Sequence, residues 1–142
     1  MFVLAVVTHQ NESNMKNNLI LVLALTLASA ATGVANTGGY AVVVSKATRA
    51  NKDWKPVVNA LVAKHEAKIV EFEGSVNDAL GKLRNQFPRY TCFVATPKEA
   101  TGRFVAEVHQ LTRKLDNDLY TDTFWGVLTG FDATNALAIA KH

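Results

Sequence analysis

Four short apolar runs, each followed by a stretch of helical periodicity, are what most limits the fold open to this chain. The first, Tyr40 to Ser45, reads Tyr-Ala-Val-Val-Val-Ser. An unbroken apolar run of that length fits a strand buried on both faces. Asp53 then stands as a helix cap, and Trp54, Val57, Val58, Leu61, Val62 and His65 recur on one helical face. Pro56 sits in the first turn, where its missing N–H costs nothing. Lys68 to Phe72 alternates more than the first run, as suits a strand nearer a sheet edge. Ser75 with Asp78 forms an acidic variant of the capping box. Behind it, Val76, Ala79, Leu80, Leu83 and Phe87 make the buried stripe of a second helix, which Pro88 stops.

The third unit opens with the strand Tyr90 to Ala95. Thr96-Pro97-Lys98-Glu99 reads as a helix start, with cap hydroxyl, proline first and glutamate third. Phe104, Val108, Leu111 and Leu115 follow on one face, with Gly102 weakening the helix without ending it. Asp116-Asn117-Asp118 breaks the pattern, and Thr123 to Thr129 reads as a fourth strand with Gly126 as a bulge or close-packing point. Gly130 turns, Asp132 caps, and Ala133 to Lys141 begins a last helix. Strand and helix alternating four times, with connections of helical length, imply a parallel sheet covered on both faces. The expected fold class is α/β, a three-layer α/β sandwich with a mainly parallel four-stranded sheet, Rossmann-like or flavodoxin-like in kind. Neither a fixed-period repeat nor a low-complexity linker is present.

A length of 142 residues allows one domain and little more. Much of the apolar 49% lies near the N-terminus. From Met15 the chain reads Met-Lys-Asn-Asn, then an apolar run from Leu19 to Leu27, then Ala28-Ser29-Ala30. A basic start, an apolar core and small residues describe a secretory signal peptide, cut after Ala30 or Ala35. The competing reading is a membrane anchor, but Thr26, Ser29, Thr32 and Gly33 leave the apolar part short of the roughly 20 residues a span requires. Met1 to Asn14 carries Glu12, which a signal start avoids, and reads as an upstream start assigned in error. The expected organisation is therefore 1–14 upstream, 15–35 signal peptide and 36–142 an α/β domain of about 107 residues. Export to the periplasm, the cell surface or beyond follows, with no membrane partner once the signal is removed.

A formal charge of +3 is too small to suggest a nucleic-acid partner. One cysteine excludes an internal disulfide and every multi-cysteine zinc pattern. Cys92 lies in the apolar run Tyr-Thr-Cys-Phe-Val-Ala and reads as a small buried hydrophobe. The sharper alternative pairs it as a nucleophile with His65 or His109, against which its mid-strand position speaks. His65 suits the C-terminal end of its helix through the dipole, and His109 falls on the border of a buried face. Trp54 and Trp125 read as core.

Open α/β sheets bind ligands beyond the carboxyl ends of their strands, which draws attention to the loop after the first strand. There Ser45, Lys46, Thr48 and Arg49, with Lys52, are the candidate anion-binding residues; the bland reading is a solvated basic loop. No Gly-x-Gly-x-x-Gly or Walker pattern occurs, and the likeness to the phosphate loop of flavodoxins is loose. Asp116, Asp118 and Asp122 offer carboxylates for calcium, the one cofactor considered, without the glycine and terminal glutamate of an EF-hand loop. Helix termination and a turn account equally for those aspartates.

The order of features resembles the front part of the gingipain-like, caspase-like cysteine peptidases and related secreted bacterial proteins. The residues that carry the resemblance begin with the signal peptide, Tyr-Ala-Val-Val-Val-Ser, and the Trp54 helix leading into Lys-Ile-Val-Glu-Phe. Pro88-Arg89-Tyr90 then introduces Thr-Cys-Phe-Val-Ala, and Tyr120 to Gly130 is similar to the family's Thr-Asp-aromatic stretch and following strand. The resemblance covers about Tyr40 to His142, and its motifs are soft. It implies that the catalytic histidine and cysteine follow later strands, in His-Gly-like and Cys-containing motifs that this sequence lacks; Cys92 does not match the nucleophile position.

The expectation is thus a non-catalytic N-terminal α/β subdomain, a fragment truncated at its C-terminus. Its partner would be the missing C-terminal part of a parent that could be a peptidase. The alternatives are a small exported binding module using the anion or calcium loop, and an interaction domain using an exposed sheet edge.

Overall fold

The computed structural model describes residues 39–142; the expected signal peptide and the segment ahead of it lie outside the described residues. Alternation of strand and helix builds one four-stranded sheet in the order β2-β1-β3-β4, every pairing parallel. β1 (Tyr40–Ser45) is central, with Val42, Val43 and Val44 wholly buried, as its unbroken apolar run requires. β2 (Lys68–Phe72) is the edge strand its alternation suggests. β3 (Tyr90–Val94) lies on the other side of β1, and β4 (Phe124–Leu128) forms the second edge.

The helices are α1 (Lys46–Ala50), α2 (Lys55–His65), α3 (Leu80–Gln86), α4 (Gly102–Leu111) and α5 (Ala133–Lys141). One face of the sheet packs Val42, Val44, Cys92 and Val94 against Val57, Val58 and Leu61 of α2 and Ala136 and Ala140 of α5. The opposite face packs Ala41, Val43 and Phe93 against Val76, Leu83, Phe104, Val108 and Leu111. The three-layer α/β sandwich is therefore present. The steps from β1 to β2 and from β3 to β4 run in opposite directions along the sheet, and α2 and α4 lie on opposite faces. Crossovers of one hand require that arrangement. α5 returns to the α2 face and packs against α2.

Several local expectations are corrected. The basic loop after β1 contains α1, capped by Ser45, whose Oγ accepts from the Thr48 N–H at 3.0 Å. Asp53 does not cap α2; the boundary residue is Trp54, and the Lys55 N–H bonds to the Asn51 carbonyl at 2.9 Å. That bond satisfies the Lys55 N–H, and Pro56 has none to satisfy. The second helix is split into a 3-10 turn (Val76–Ala79) and α3, although its Ser75–Asp78 capping box is present. Phe87 is not in a buried stripe: it sits past the end of α3 at φ 42°, partly exposed.

α4 starts at Gly102 rather than after Thr96. Thr96 to Glu99 closes only a turn, and Thr101 is the working cap, accepting from the Phe104 N–H at 3.2 Å. Gly126 is neither a bulge nor a close-packing point, since β4 keeps regular register with β3 and a Cβ there would meet nothing within 4 Å. Gly130 does require glycine, because a Cβ would lie 2.7 Å from the Ala136 nitrogen. Asp132 caps α5 as expected, accepting from the Asn135 N–H at 2.8 Å.

Candidate functional site

The chain leaves β1 toward β2, while β3 lies on its opposite flank. The connections after β1 and β3 therefore diverge, and such a switch point opens a crevice at the strand C-termini. The crevice is an open cleft of about 680 Å³, lined by residues that include Thr48, Trp54, Thr96, Glu99, Phe131 and Asp132.

Glu99 organises its floor. One carboxylate oxygen accepts from the Ser45 hydroxyl at 2.5 Å. The other accepts from the Thr48 hydroxyl at 2.6 Å and from both the Thr96 hydroxyl and N–H at 2.9 Å. Burial alone would raise the Glu99 pKa, but the donors at Ser45, Thr48 and Thr96 outweigh it and hold the group below its ordinary value. Glu99 is thus an ionised tie between the β1–α1 and β3–α4 connections, 54 residues apart in sequence.

The four residues read as an anion cradle divide into two sets. Ser45 and Thr48 spend their hydroxyl protons on Glu99, whose charge would oppose an incoming anion. Lys46 lies instead on Glu73 at 2.5 Å, a hydrogen bond and charge pair that raise its pKa. Arg49 donates to Asn59 at 2.9 Å and lies 3.8 Å from Glu71. Lys46 and Arg49 are thereby engaged with the acidic end of β2 rather than with the cleft. Nothing in the spacing of residues 45–52 indicates these acidic partners, which come from β2 and from beyond β3.

Asp116, Asp118 and Asp122 do converge, their ligand atoms lying within 4.8 Å of one another. Each is already an acceptor for its own loop. Asp122 takes the Leu115 N–H at 2.7 Å, Asp116 the Asp118 N–H at 2.9 Å, and Asp118 the Tyr120 N–H at 2.7 Å. These bonds account for the cluster as a turn that leads from α4 into β4.

Cys92 is buried between the sheet and the α2–α5 layer, away from the cleft. Burial pushes its pKa up to about 11, only partly offset by hydrogen bonds with Tyr40 and the Leu128 main chain. His65 stacks on Tyr40 with ring centroids 4.2 Å apart, and His109 lies tilted against Trp125 at 6.3 Å. The two histidines are thus placed by aromatic packing. Comparison with protein-family models, with curated proteins and with solved structures finds no match to this chain.

Proposed function

We propose that this chain supplies the non-catalytic N-terminal α/β subdomain of an exported protein related to the gingipain-like cysteine peptidases. The remainder of that parent is its partner and carries the chemistry. The observation that supports this reading is the placement of Cys92. The one thiol of the sequence lies in the middle of β3, packed under α2 and α5 and kept protonated. A nucleophile in an open α/β sheet belongs at a strand C-terminus, exposed and electropositive. The corresponding positions here carry Ser45, Thr96 and Thr129, and two of these are engaged with Glu99. Export rests on the Met15–Ala35 leader pattern.

Genomic sequence downstream of the His142 codon tests the proposal. It should continue an open or frameshifted reading frame with further α/β pattern, a His-Gly-like motif and a Cys-containing motif. A clean stop followed by an unrelated gene overturns it. The cleft at the strand C-termini favours one other reading, a small exported binding module. In that case thermal stability rises with a ligand that fills the cleft, and Glu99→Gln alters the response.

A further inference from the structure

Among the described residues, no strand pairs with the outer side of β4. The two sheet edges differ in kind. β2 carries Lys68 and Glu71, charges of the sort that discourage pairing with another chain. β4 reads Phe-Trp-Gly-Val-Leu and carries none. Exposed apolar side chains also flank it in the chain: Leu119 and Tyr120 precede it and Phe124 opens it, at 79%, 78% and 69% exposure, whereas Phe131 beyond it lines the cleft. At roughly 150–250 Å² per large side chain, these three present on the order of 350–550 Å². A stable interface buries about 800 Å² per partner. The main-chain edge and the partly buried Trp125, Val127 and Leu128 would have to supply the rest when the strand pairs.

The hand of the fold says what can fill this edge. A crossover through α5, on the face that α2 occupies, would step back toward β3 and away from the free side of β4. The strand that covers β4 is therefore not the one α5 would deliver.

The ladder fits a second copy. The Phe124 N–H bonds to the Arg89 carbonyl and the Leu128 carbonyl accepts from Ala95, so Phe124, Gly126 and Leu128 bond inward to β3. Trp125 and Val127 consequently aim their main-chain groups outward. Placed antiparallel about a two-fold axis at Gly126, Trp125 would exchange both hydrogen bonds with Val127 of the second copy, and the reverse. Gly126 would face its counterpart at the non-hydrogen-bonded position, where Cα atoms approach to about 4.5 Å. Phe124 would meet Leu128, apolar on apolar. Within one chain nothing calls for glycine at 126, since the position is exposed and open.

We propose that the chain forms a two-fold dimer through antiparallel β4–β4 pairing centred on Gly126, giving a continuous eight-stranded sheet. The inference goes beyond the subdomain reading and does not depend on it; the downstream DNA decides that reading separately.

Light scattering on the full chain, from low to high micromolar concentration, should give twice the mass of one chain. Amide exchange should show Trp125 and Val127 protected. Gly126→Lys places like charges on the axis without a clash inside the chain, and Phe124→Glu charges the strand end. Each should weaken dimerisation at least tenfold and expose the Trp125 and Val127 amides, with the circular dichroism of the fold retained. A monomeric wild type, a dimer undisturbed by both variants, or a dimer whose Trp125 and Val127 amides exchange freely would each overturn the proposal. If Gly126→Lys fails to fold, Phe124→Glu, at an exposed ring, still decides between these outcomes.

Discussion

Glu99 shows how a single carboxylate fixes the geometry of the strand ends. Its donors come from β1, α1 and the turn after β3, so removing it leaves three hydroxyls and an N–H to find other partners. Glu99→Ala should cost about 1–3 kcal/mol, toward the low end because water reaches the cleft. The folded-state pKa lies below the ordinary value of 4.5, so the carboxylate contributes stability above that pH and loses it as pH falls through the folded value. The stability difference between wild type and Glu99→Gln should therefore be constant from neutral pH to near 4.5 and shrink below it. Urea titrations at a series of pH values measure this; a difference that grows on acidification would contradict the tie. Cys92 follows the opposite rule, its charged form being disfavoured. With its pKa pushed up to about 11, native protein at pH 8 should react with iodoacetamide on the order of a hundredfold or more slower than unfolded protein. Rapid stoichiometric labelling of the native state would contradict the burial.

At the scale of elements, the end of α2 is its least favourable point. Glu66 takes the left-handed conformation at φ 50°, and its N–H bonds to the Val62 carbonyl. Glycine is the residue that adopts this conformation without a Cβ penalty. Glu66 is exposed and, among the described residues, makes no hydrogen bond or ion pair through its side chain, so Glu66→Gly should raise stability by up to about 1 kcal/mol. Calorimetry on the two proteins checks the sign. The strands and most helices were legible because burial on two faces and helical stripes leave periodicities in the chain itself. What was illegible came from partners distant in sequence. Thr96 and Glu99 carry a sound helix-start pattern, yet Glu99 is held by Ser45 and Thr48, and the turn closes before a helix can begin. Lys46 and Arg49 resemble an anion site until β2 brings Glu71 and Glu73 beside them. The strand order that creates the cleft has no local signature, because it depends on which face each crossover takes.

The described residues form two cores divided by one sheet, and each holds one tryptophan. Trp54 is buried with α2 and α5, while Trp125 packs edge-on to Phe93 in the opposite core at 6.4 Å. β1 and β3 contribute alternate residues to both, so neither layer can lose its packing without exposing the back of the other. The described residues 39–142 belong to one compact unit, which therefore should unfold as one. Trp54→Phe and Trp125→Phe variants would each leave a single indole reporting on one core. In denaturant the two fluorescence transitions should coincide with each other and with loss of far-ultraviolet circular dichroism. The edge position of β4 sets the alternative. Phe124 is largely exposed and Trp125 only half-buried, so the β4 side has the fewest contacts to hold it. A Trp125 transition that precedes the Trp54 transition would show that β4 and α5 open as a separate unit. Coincident transitions in a dimeric sample, separating in Gly126→Lys, would show that pairing at β4 is what makes the two cores melt together.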